Sequence, residues 1–389
     1  MAGGTLTGGQ VRNAGTIIGN GTVSADVHNF GQVISDSATL TLLGNGSSTD
    51  GVFAFQNNSQ IRIWAPTAFD LHGYNTVVGD GSLEIAHGKV RATDNEFTGI
   101  VGGGTIIVSG GSLSADAGSE LRLNLTGGGK VALVGGNIGA SGTVINVGNF
   151  EFNGGKIGGS GSGVVVNRGS LVWTDGDVSG NLLNESSTFT ISAPGSEHIH
   201  ILAGGSLTNT GVITQAGNSM LCFGGVGSSG SVATLNNEVG AVYDLQGDGS
   251  MRGGYVSPFY NAAPGVFNNA GLFRKSGGTG TSTISDRIAF NNTGRVELAS
   301  GTLSFGNFTQ TAGSIDLDGG NLTYSSPAEI LGGEIRGSGT INGSVLNTGG
   351  LVSPGHSPGA IVINGNYTQG VDGMQVLNAD GRVVILRCN

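Results

Sequence analysis

The chain has 389 residues, and 77 of them are glycine, against a usual glycine share of about 7%. The glycines do not recur at every third position, which excludes collagen, and a hydrophobic content of 37% with few charges argues against intrinsic disorder. The 16 basic and 26 acidic residues give a net charge of -10, so nucleic acids are not expected as partners.

Short segments that begin with glycine and continue with apolar residues recur from the N-terminus onward. The first ten residues contain no basic region followed by an apolar stretch, so the sequence shows no signal peptide. No apolar run approaches the ~18 residues of a transmembrane helix, and no transmembrane segment is expected. Examples of the glycine-initiated segments are GTIIG at Gly15, GTVSA at Gly21, GTIIV at Gly104, GSLSA at Gly111, GSLVW at Gly169, GSLTN at Gly205 and GVITQ at Gly211.

Two segments interrupt this pattern. Residues 52–72 lack glycine and contain Trp64 and Pro66, and residues 251–270 contain two prolines and several aromatic side chains. Each segment is expected to form an irregular surface loop or an elongated coil whose aromatic side chains cover the core. A binding role for such loops is the alternative, because long loops carry function more often than regular coils.

The repeat is clearest between residues 294 and 343. Every second glycine-initiated segment recurs there after 19 or 20 residues, as the pairs Gly294 and Gly313 or Gly301 and Gly320 illustrate. A period near 20 with two or three short strands per repeat is typical of a solenoid. Coils of about 20 residues would give roughly 19 coils in a chain of this length.

Side chains alternate between the two faces of a strand, so aligned coils place equivalent residues in rows. The first strand of three consecutive coils points Val296, Ile315 and Ile335 inward. The fold class predicted from these rows is all-β, a single parallel β-helix or β-solenoid with almost no helix. The second and third strands supply further apolar positions, which are Leu303, Phe305, Leu322, Tyr324 and Ile341, then Phe308 and residues 328–331.

Paired asparagines fit the corners between the strands of such a coil. They occur at residues 236–237, 268–269 and 291–292. Because asparagine tolerates a positive φ, these pairs are expected to occupy tight turns in place of glycine.

The C-terminal third resembles the repeats of bacterial autotransporter passenger and filamentous-haemagglutinin-like surface proteins. The resemblance is carried by residues 267–284, 290–305 and 337–369, and above all by the SPGxSPGxLxIxGxYTQ pattern, which is present from Ser353 to Gln369. It implies a right-handed parallel β-helix over residues 1–369, exported to the bacterial cell surface or secreted. Residues 370–389 are then expected to form a C-terminal tail or cap.

One group of residues suggests catalysis, although no catalytic residue is assigned. Glu297, Asp316 and Arg336 are predicted to form an outward row, in which carboxylates on adjacent coils lie ~5 Å apart, as in retaining glycosidases. The favoured interpretation is a solvated face on which Arg336 offsets the two acids. The motifs of β-helix pectinases are present only in part, as Ala-His-Gly at 86–88 and as Arg62 and Arg287, each without the lysine of the Arg-x-Lys motif.

His198 and His200 are weak candidates for metal ligands. Two residues apart, they would share one face of a strand, where zinc requires further ligands from neighbouring coils. The coils about 20 residues away supply no strong ligand, so no metal and no cofactor is expected.

The sequence therefore predicts a non-enzymatic, extended β-helical surface or secreted protein, the passenger or stalk of an adhesin. Glycans and host or neighbouring cell surfaces are the expected partners. Two alternatives stay open: a polysaccharide-cleaving β-helix related in shape to pectinases or phage tailspikes, and a structural filament subunit. The filament would assemble by end-to-end association of exposed strands.

Overall fold

A computed structural model describes residues 3–93, 97–139, 141–158, 162–193, 199–224, 231–253, 264–355, 359–375 and 382–386. The described chain is all-β, and its parallel strands stack into a β-solenoid of about 15 turns of roughly 22 residues, which confirms the predicted fold class. It contains no helix that could cross a membrane. The structure divides into two compact units, Met1–Ser186 and Ser187–Asn389, which are described separately.

Unit 1 contains the first nineteen strands. They are β1 (Gly4–Asn13), β2 (Thr16–Asn29), β3 (Gln32–Leu42), β4 (Gly46–Thr49), β5 (Val52–Gln56), β6 (Gln60–His72), β7 (Tyr74–Gly79), β8 (Ser82–Ala92), β9 (Phe97–Gly102), β10 (Thr105–Val108), β11 (Ser112–Ala115), β12 (Glu120–Leu125), β13 (Lys130–Leu133), β14 (Asn137–Ile138), β15 (Thr143–Asn146), β16 (Asn149–Ile157), β17 (Val164–Asn167), β18 (Ser170–Val178) and β19 (Asn181–Asn184).

Unit 2 contains the remaining strands. They are β20 (Phe189–Ile191), β21 (Ile199–Ile201), β22 (Ser206–Asn209), β23 (Val212–Ala216), β24 (Met220–Phe223), β25 (Ala233–Asn237), β26 (Val242–Gln246), β27 (Ser250–Gly253), β28 (Gly265–Asn269), β29 (Leu272–Gly277), β30 (Thr281–Asn292), β31 (Arg295–Leu298), β32 (Thr302–Gln310), β33 (Ser314–Tyr324), β34 (Ala328–Ile330), β35 (Glu334–Asn342), β36 (Val345–Asn347), β37 (Leu351–Pro354), β38 (Ala360–Asn364), β39 (Tyr367–Gln369), β40 (Met374–Gln375) and β41 (Arg382–Leu386).

Coil length varies along unit 2. Between residues 294 and 343 the register is the predicted one, since Val296 pairs with Ile315 and Ile315 with Ile335. Earlier coils are longer: Asn209 and its equivalent Asn237 are 28 residues apart, and Asn237 and Asn269 are 32 apart. The estimate of roughly 19 coils was therefore too high, because it extended the shortest period to the whole chain.

Apolar side chains fill the interior of each unit. In unit 1, the buried rings of Phe152 and Trp173 stack on adjacent coils with centroids 5.2 Å apart. In unit 2, aromatic rings pack against one another over several coils, which adds ring–ring attraction to the burial of apolar area. The members of this second cluster are Tyr243, Phe267, Phe273, Phe290, Phe305, Phe308 and Tyr324.

The asparagine pairs of unit 2 end strands and are not in positive-φ turns, which corrects the corner prediction. Their second members, Asn237, Asn269 and Asn292, are buried and form an inner ladder, in which each side-chain amide donates to the next carbonyl oxygen at 2.8 Å. The inner ladder also includes Asn209, which donates to Asn237, and the Gln310 side chain, which accepts from Asn292. The first members form a second, outer ladder beside it, in which the side-chain hydrogen bonds are 2.9 Å long. This outer ladder consists of Asn236, Asn268 and Asn291.

One lysine lies in the apolar interior of unit 2. Lys275 pairs with Leu245 on one side and Leu298 on the other, and its side chain is fully buried. A buried ammonium is tolerated only when oxygens surround it. Its Nζ contacts four: Gly247 O (2.7 Å), Gly277 O (3.0 Å), Asp248 Oδ1 (3.0 Å) and Ser282 Oγ (3.1 Å).

The segments predicted as loops or tail have different outcomes. Residues 52–72 lie mostly in β5 and β6, where Phe53, Phe55 and Phe69 are buried, and the pairing of β6 with β8 has register shifts on both sides of Trp64. In 251–270, residues 254–263 lie outside the described residues, and β27 and β28 flank them. In 370–389, the backbone of β41 pairs in parallel with β38, and residues 376–381 and 387–389 lie outside the described residues.

Candidate functional site

The structure brings the three residues of the predicted acidic row together. Glu297 on β31 pairs with Asp316 on β33, and Asp316 pairs with Arg336 on β35. The three residues therefore lie on three neighbouring strands, and neighbouring strands of a sheet are ~4.8 Å apart. Asp318, two residues after Asp316, is exposed, and it pairs with Ser338 of β35.

Asp316 is fixed between two arginines. Arg336 donates from Nε to Asp316 Oδ1 at 2.6 Å and from its second guanidinium nitrogen to Oδ2 at 3.0 Å, and Arg295 Nε donates to Oδ2. Burial raises the pKa of Asp316, but the hydrogen bonds from Arg336 and Arg295 outweigh it, so the net pKa is lowered. A carboxylate with this pKa stays ionised near neutral pH and is poorly suited to donate a proton to a glycosidic oxygen.

The row of charges extends further than the sequence suggested. Arg274 pairs with Glu297, and Asp244 pairs with Arg274, whose guanidinium donates to Asp244 Oδ2 at 2.7 Å. Arg295 also reaches Glu297, at 2.9 Å. Acids and arginines thus neutralise one another along consecutive coils, which is the arrangement expected of a stabilising surface network.

The histidine candidates do not assemble a metal site in the described chain. His198 lies outside the described residues, and His200 lies on β21, where it pairs with Cys222 of β24. Among the residues that the structure describes, no group of three His, Cys, Asp or Glu side chains is placed to hold a metal ion. Cys222 is buried, and Cys388 also lies outside the described residues.

An exposed tryptophan of unit 1 lies in residues 52–72, the segment for which a binding role is the alternative prediction. Trp64 on β6 pairs with His87 on β8, and the two rings stack with centroids 5.2 Å apart and an interplanar angle of 7°. His87 Nδ1 is 3.1 Å from the carbonyl oxygen of Ala65, which fixes the imidazole orientation. The indole is nevertheless 44% exposed.

An apolar residue in the preceding coil extends this platform. Leu42 pairs with Ile63, so Leu43 occupies the position equivalent to Trp64, and its side chain is 37% exposed. Leu43, Trp64 and His87 are named here the Trp64 platform. Exposed aromatic and aliphatic side chains at equivalent positions of adjacent coils are more informative than single exposed apolar residues.

Polar side chains flank the Trp64 platform on the same strands. Arg62, two residues before Trp64, donates from Nε to Glu84 Oε2 at 2.6 Å. Glu84 also accepts a hydrogen bond from Ser109 in the next coil at 2.7 Å, and Gln60 donates to Ser82 at 3.3 Å. These groups combine fixed donors and acceptors beside an aromatic surface.

Comparison of the chain with protein-family models, with curated proteins and with solved structures finds no match. The resemblance to bacterial surface proteins therefore remains a prediction.

Proposed function

We propose that this β-solenoid is a non-enzymatic, secreted or cell-surface protein, the passenger or stalk of a bacterial adhesin, and that it attaches to glycans. The proposal of export rests on the resemblance of residues 267–284 and 337–369 to autotransporter and haemagglutinin-like repeats. The proposal of glycan attachment rests on the Trp64 platform.

The Trp64 platform has the chemistry that recognises sugars. One face of a pyranose ring presents C–H groups, which pack favourably on an indole because the ring face carries partial negative charge. His87 and its hydrogen bond to Ala65 hold the indole in place before a ligand arrives, so little rotamer entropy is lost on binding. Tryptophan is among the residues that dominate binding energies at interfaces.

The polar neighbours supply partners for hydroxyl groups. Arg62 is 39% exposed at its side chain while it holds Glu84, and one terminal nitrogen also donates to Gln60 Oε1 at 3.5 Å. A planar guanidinium offers five N–H donors in a fixed geometry, and a single carboxylate does not occupy all of them. A sugar stacked on Trp64 therefore finds donors from Arg62 within the same coil.

The proposal is tested by measuring the binding of the full chain to a glycan array. The wild type is compared with the variants Trp64→Ala and Tyr74→Ala. Tyr74 is the matched control, because it is an exposed aromatic residue of the same unit, at 57% exposure. We expect the wild type to bind at least one glycan class. Trp64→Ala should bind that class about tenfold or more weakly, and Tyr74→Ala should bind it with nearly unchanged affinity. Equal binding by the wild type and Trp64→Ala would contradict the proposal.

Two further measurements, of reducing-end release on the same glycan array and of fibre formation, distinguish the alternative functions. Release of reducing ends, abolished by Glu297→Gln or Asp316→Asn, would favour a polysaccharide-cleaving enzyme. Fibres of the purified chain in electron micrographs, without glycan binding, would favour a filament subunit.

A further inference from the structure

A surface groove lies in unit 1, away from the Trp64 platform in sequence. It has a volume of about 240 Å³ and is lined by Gln10, Arg12, His28 and Phe30. The strand register explains the grouping, because β1 and β2 run in parallel and Arg12 pairs with His28. The side chains of Gln10, Arg12 and His28 lie on the outer face, since they alternate with inward residues such as Val27.

Arg12 differs from the other arginines of unit 1. Its guanidinium carbon lies 5.1 Å from the centroid of the Phe30 ring, and the described residues place no carboxylate within ion-pair distance of it. A guanidinium stacked on a ring keeps its in-plane N–H groups available for a carboxylate. The other arginines of the unit each contact a carboxylate: Arg62 with Glu84, Arg91 with Asp70, Arg122 with Glu120 and Arg168 with Glu185.

The remaining groups of the groove are suited to hydroxyls. His28 Nδ1 is 2.9 Å from Ser47 Oγ in the next coil, which orients the imidazole and leaves Nε2 as the nitrogen for a ligand. Gln10 adds an amide with both donor and acceptor capacity. Phe30 is 44% exposed and provides apolar surface at the end of the groove.

We propose that this groove binds a carboxylate-bearing sugar, a uronic acid unit of an acidic polysaccharide. The carboxylate is held by Arg12, the ring hydroxyls by Gln10 and His28, and the ring carbons pack against Phe30. A volume of about 240 Å³ accommodates one pyranose ring with its carboxylate.

Local charge decides this specificity in an acidic chain. The net charge of -10 repels anions at long range, but charges separated by more than ~8 Å are largely screened at physiological salt. Asp26, on the same face, pairs with Gln10 and lies within this screening distance, but it does not line the groove. Arg12 supplies the guanidinium that lines the groove.

The test is an NMR titration of the full chain with glucuronate, glucose and acetate, repeated for Arg12→Gln and Arg168→Gln. Arg168→Gln is the matched control, because it removes the same charge from an exposed arginine of the same unit. We expect the wild type and Arg168→Gln to bind glucuronate more tightly than glucose or acetate, and Arg12→Gln to bind it about tenfold or more weakly. Thermal unfolding shows whether each variant keeps its fold, and Phe30→Leu provides an independent variant with the same expected loss.

Three outcomes would overturn the proposal. The first is absence of glucuronate binding by the wild type, and the second is equal binding by acetate, which would show that the sugar ring is not recognised. The third is an equal loss for Arg168→Gln and Arg12→Gln, which would show only a general charge effect. None of these outcomes bears on Trp64, so this proposal and the adhesin proposal fail separately.

Discussion

The inner asparagine ladder of unit 2 predicts a large destabilisation for Asn269→Ala. The Asn269 side chain is 1% exposed and makes three hydrogen bonds. It accepts one from Asn237 Nδ2 at 2.8 Å and donates to Asn292 Oδ1 at 2.8 Å and to Arg295 O at 3.1 Å. At about 1 kcal/mol for each hydrogen bond, the loss is about 3 kcal/mol, because the buried partners are left without water to replace the amide.

The adjacent residue provides a matched control. Asn268 belongs to the outer ladder, where it makes two hydrogen bonds of 2.9 Å, to Asn236 and from Asn291. Its side chain is partly exposed, so water replaces both partners in Asn268→Ala. We expect that variant to lose less than about 1 kcal/mol.

Hydrogen–deuterium exchange measures both variants coil by coil. In a solenoid the stability is a sum of coil and coil–coil contributions, so the effect of Asn269→Ala is expected in β25, β28 and β30. A loss of about 3 kcal/mol corresponds to roughly hundredfold faster exchange in those strands. Equal acceleration in Asn268→Ala and Asn269→Ala would refute the argument, since burial would then not decide the contribution of the ladder.

Two further predictions follow from the ion pairs and the glycines. Because the folded-state pKa of Asp316 lies below its ordinary value of 3.8, its ionised form stabilises the fold above that pH, and this stabilisation is lost as the pH falls through the folded pKa. The urea midpoint of Asp316→Asn should therefore lie below that of the wild type near pH 7, and the two should converge as the pH falls below the folded-state pKa of Asp316. Gly44→Ala should destabilise unit 1 by about 1–3 kcal/mol, because the added Cβ would lie 2.1 Å from Ala25 O. Gly128→Ala, where the added Cβ meets no atom within 4 Å, should leave the thermal midpoint nearly unchanged; equal shifts for the two variants would contradict the steric argument.

The sequence predicts the rows of the solenoid where two patterns agree. Between residues 294 and 343, glycine spacing and apolar alternation both repeat at 19 or 20 residues, and the pairing of Val296, Ile315 and Ile335 follows from them. A one-residue slip would turn these side chains outward, so the buried face fixes the register.

The same reasoning fails where coils differ in length. Asp244 and Arg274 continue the charged row, but they are 30 residues apart, and Arg274 and Glu297 are 23 apart. A search at a period of 20 does not align them. The connections between strands absorb the difference at low cost, because loop-closure entropy grows slowly with loop length.

The asparagine pairs show that composition can have two physical explanations. Asparagine is common in tight turns because it tolerates positive φ, and it is also common in ladders because its amide both donates and accepts. The pair Asn268 and Asn269 satisfies the second condition, in register with pairs one coil before and after. Adjacent asparagines that recur once in each coil therefore indicate a double ladder, since a turn needs no such recurrence.

The charged row of unit 2 shows what was missing from the catalytic hypothesis. Two carboxylates on adjacent coils lie at a distance compatible with a glycosidase, but Arg295 stands two residues before Glu297 and so shares its face of the strand. From there it contacts both Glu297 and Asp316, while Arg336 holds Asp316 from the following coil. A general acid needs a raised pKa, whereas these arginines lower that of Asp316. The spacing of the acids alone therefore predicts proximity, and the positions of the neighbouring arginines predict the ion pairs in which Asp316 and Glu297 take part.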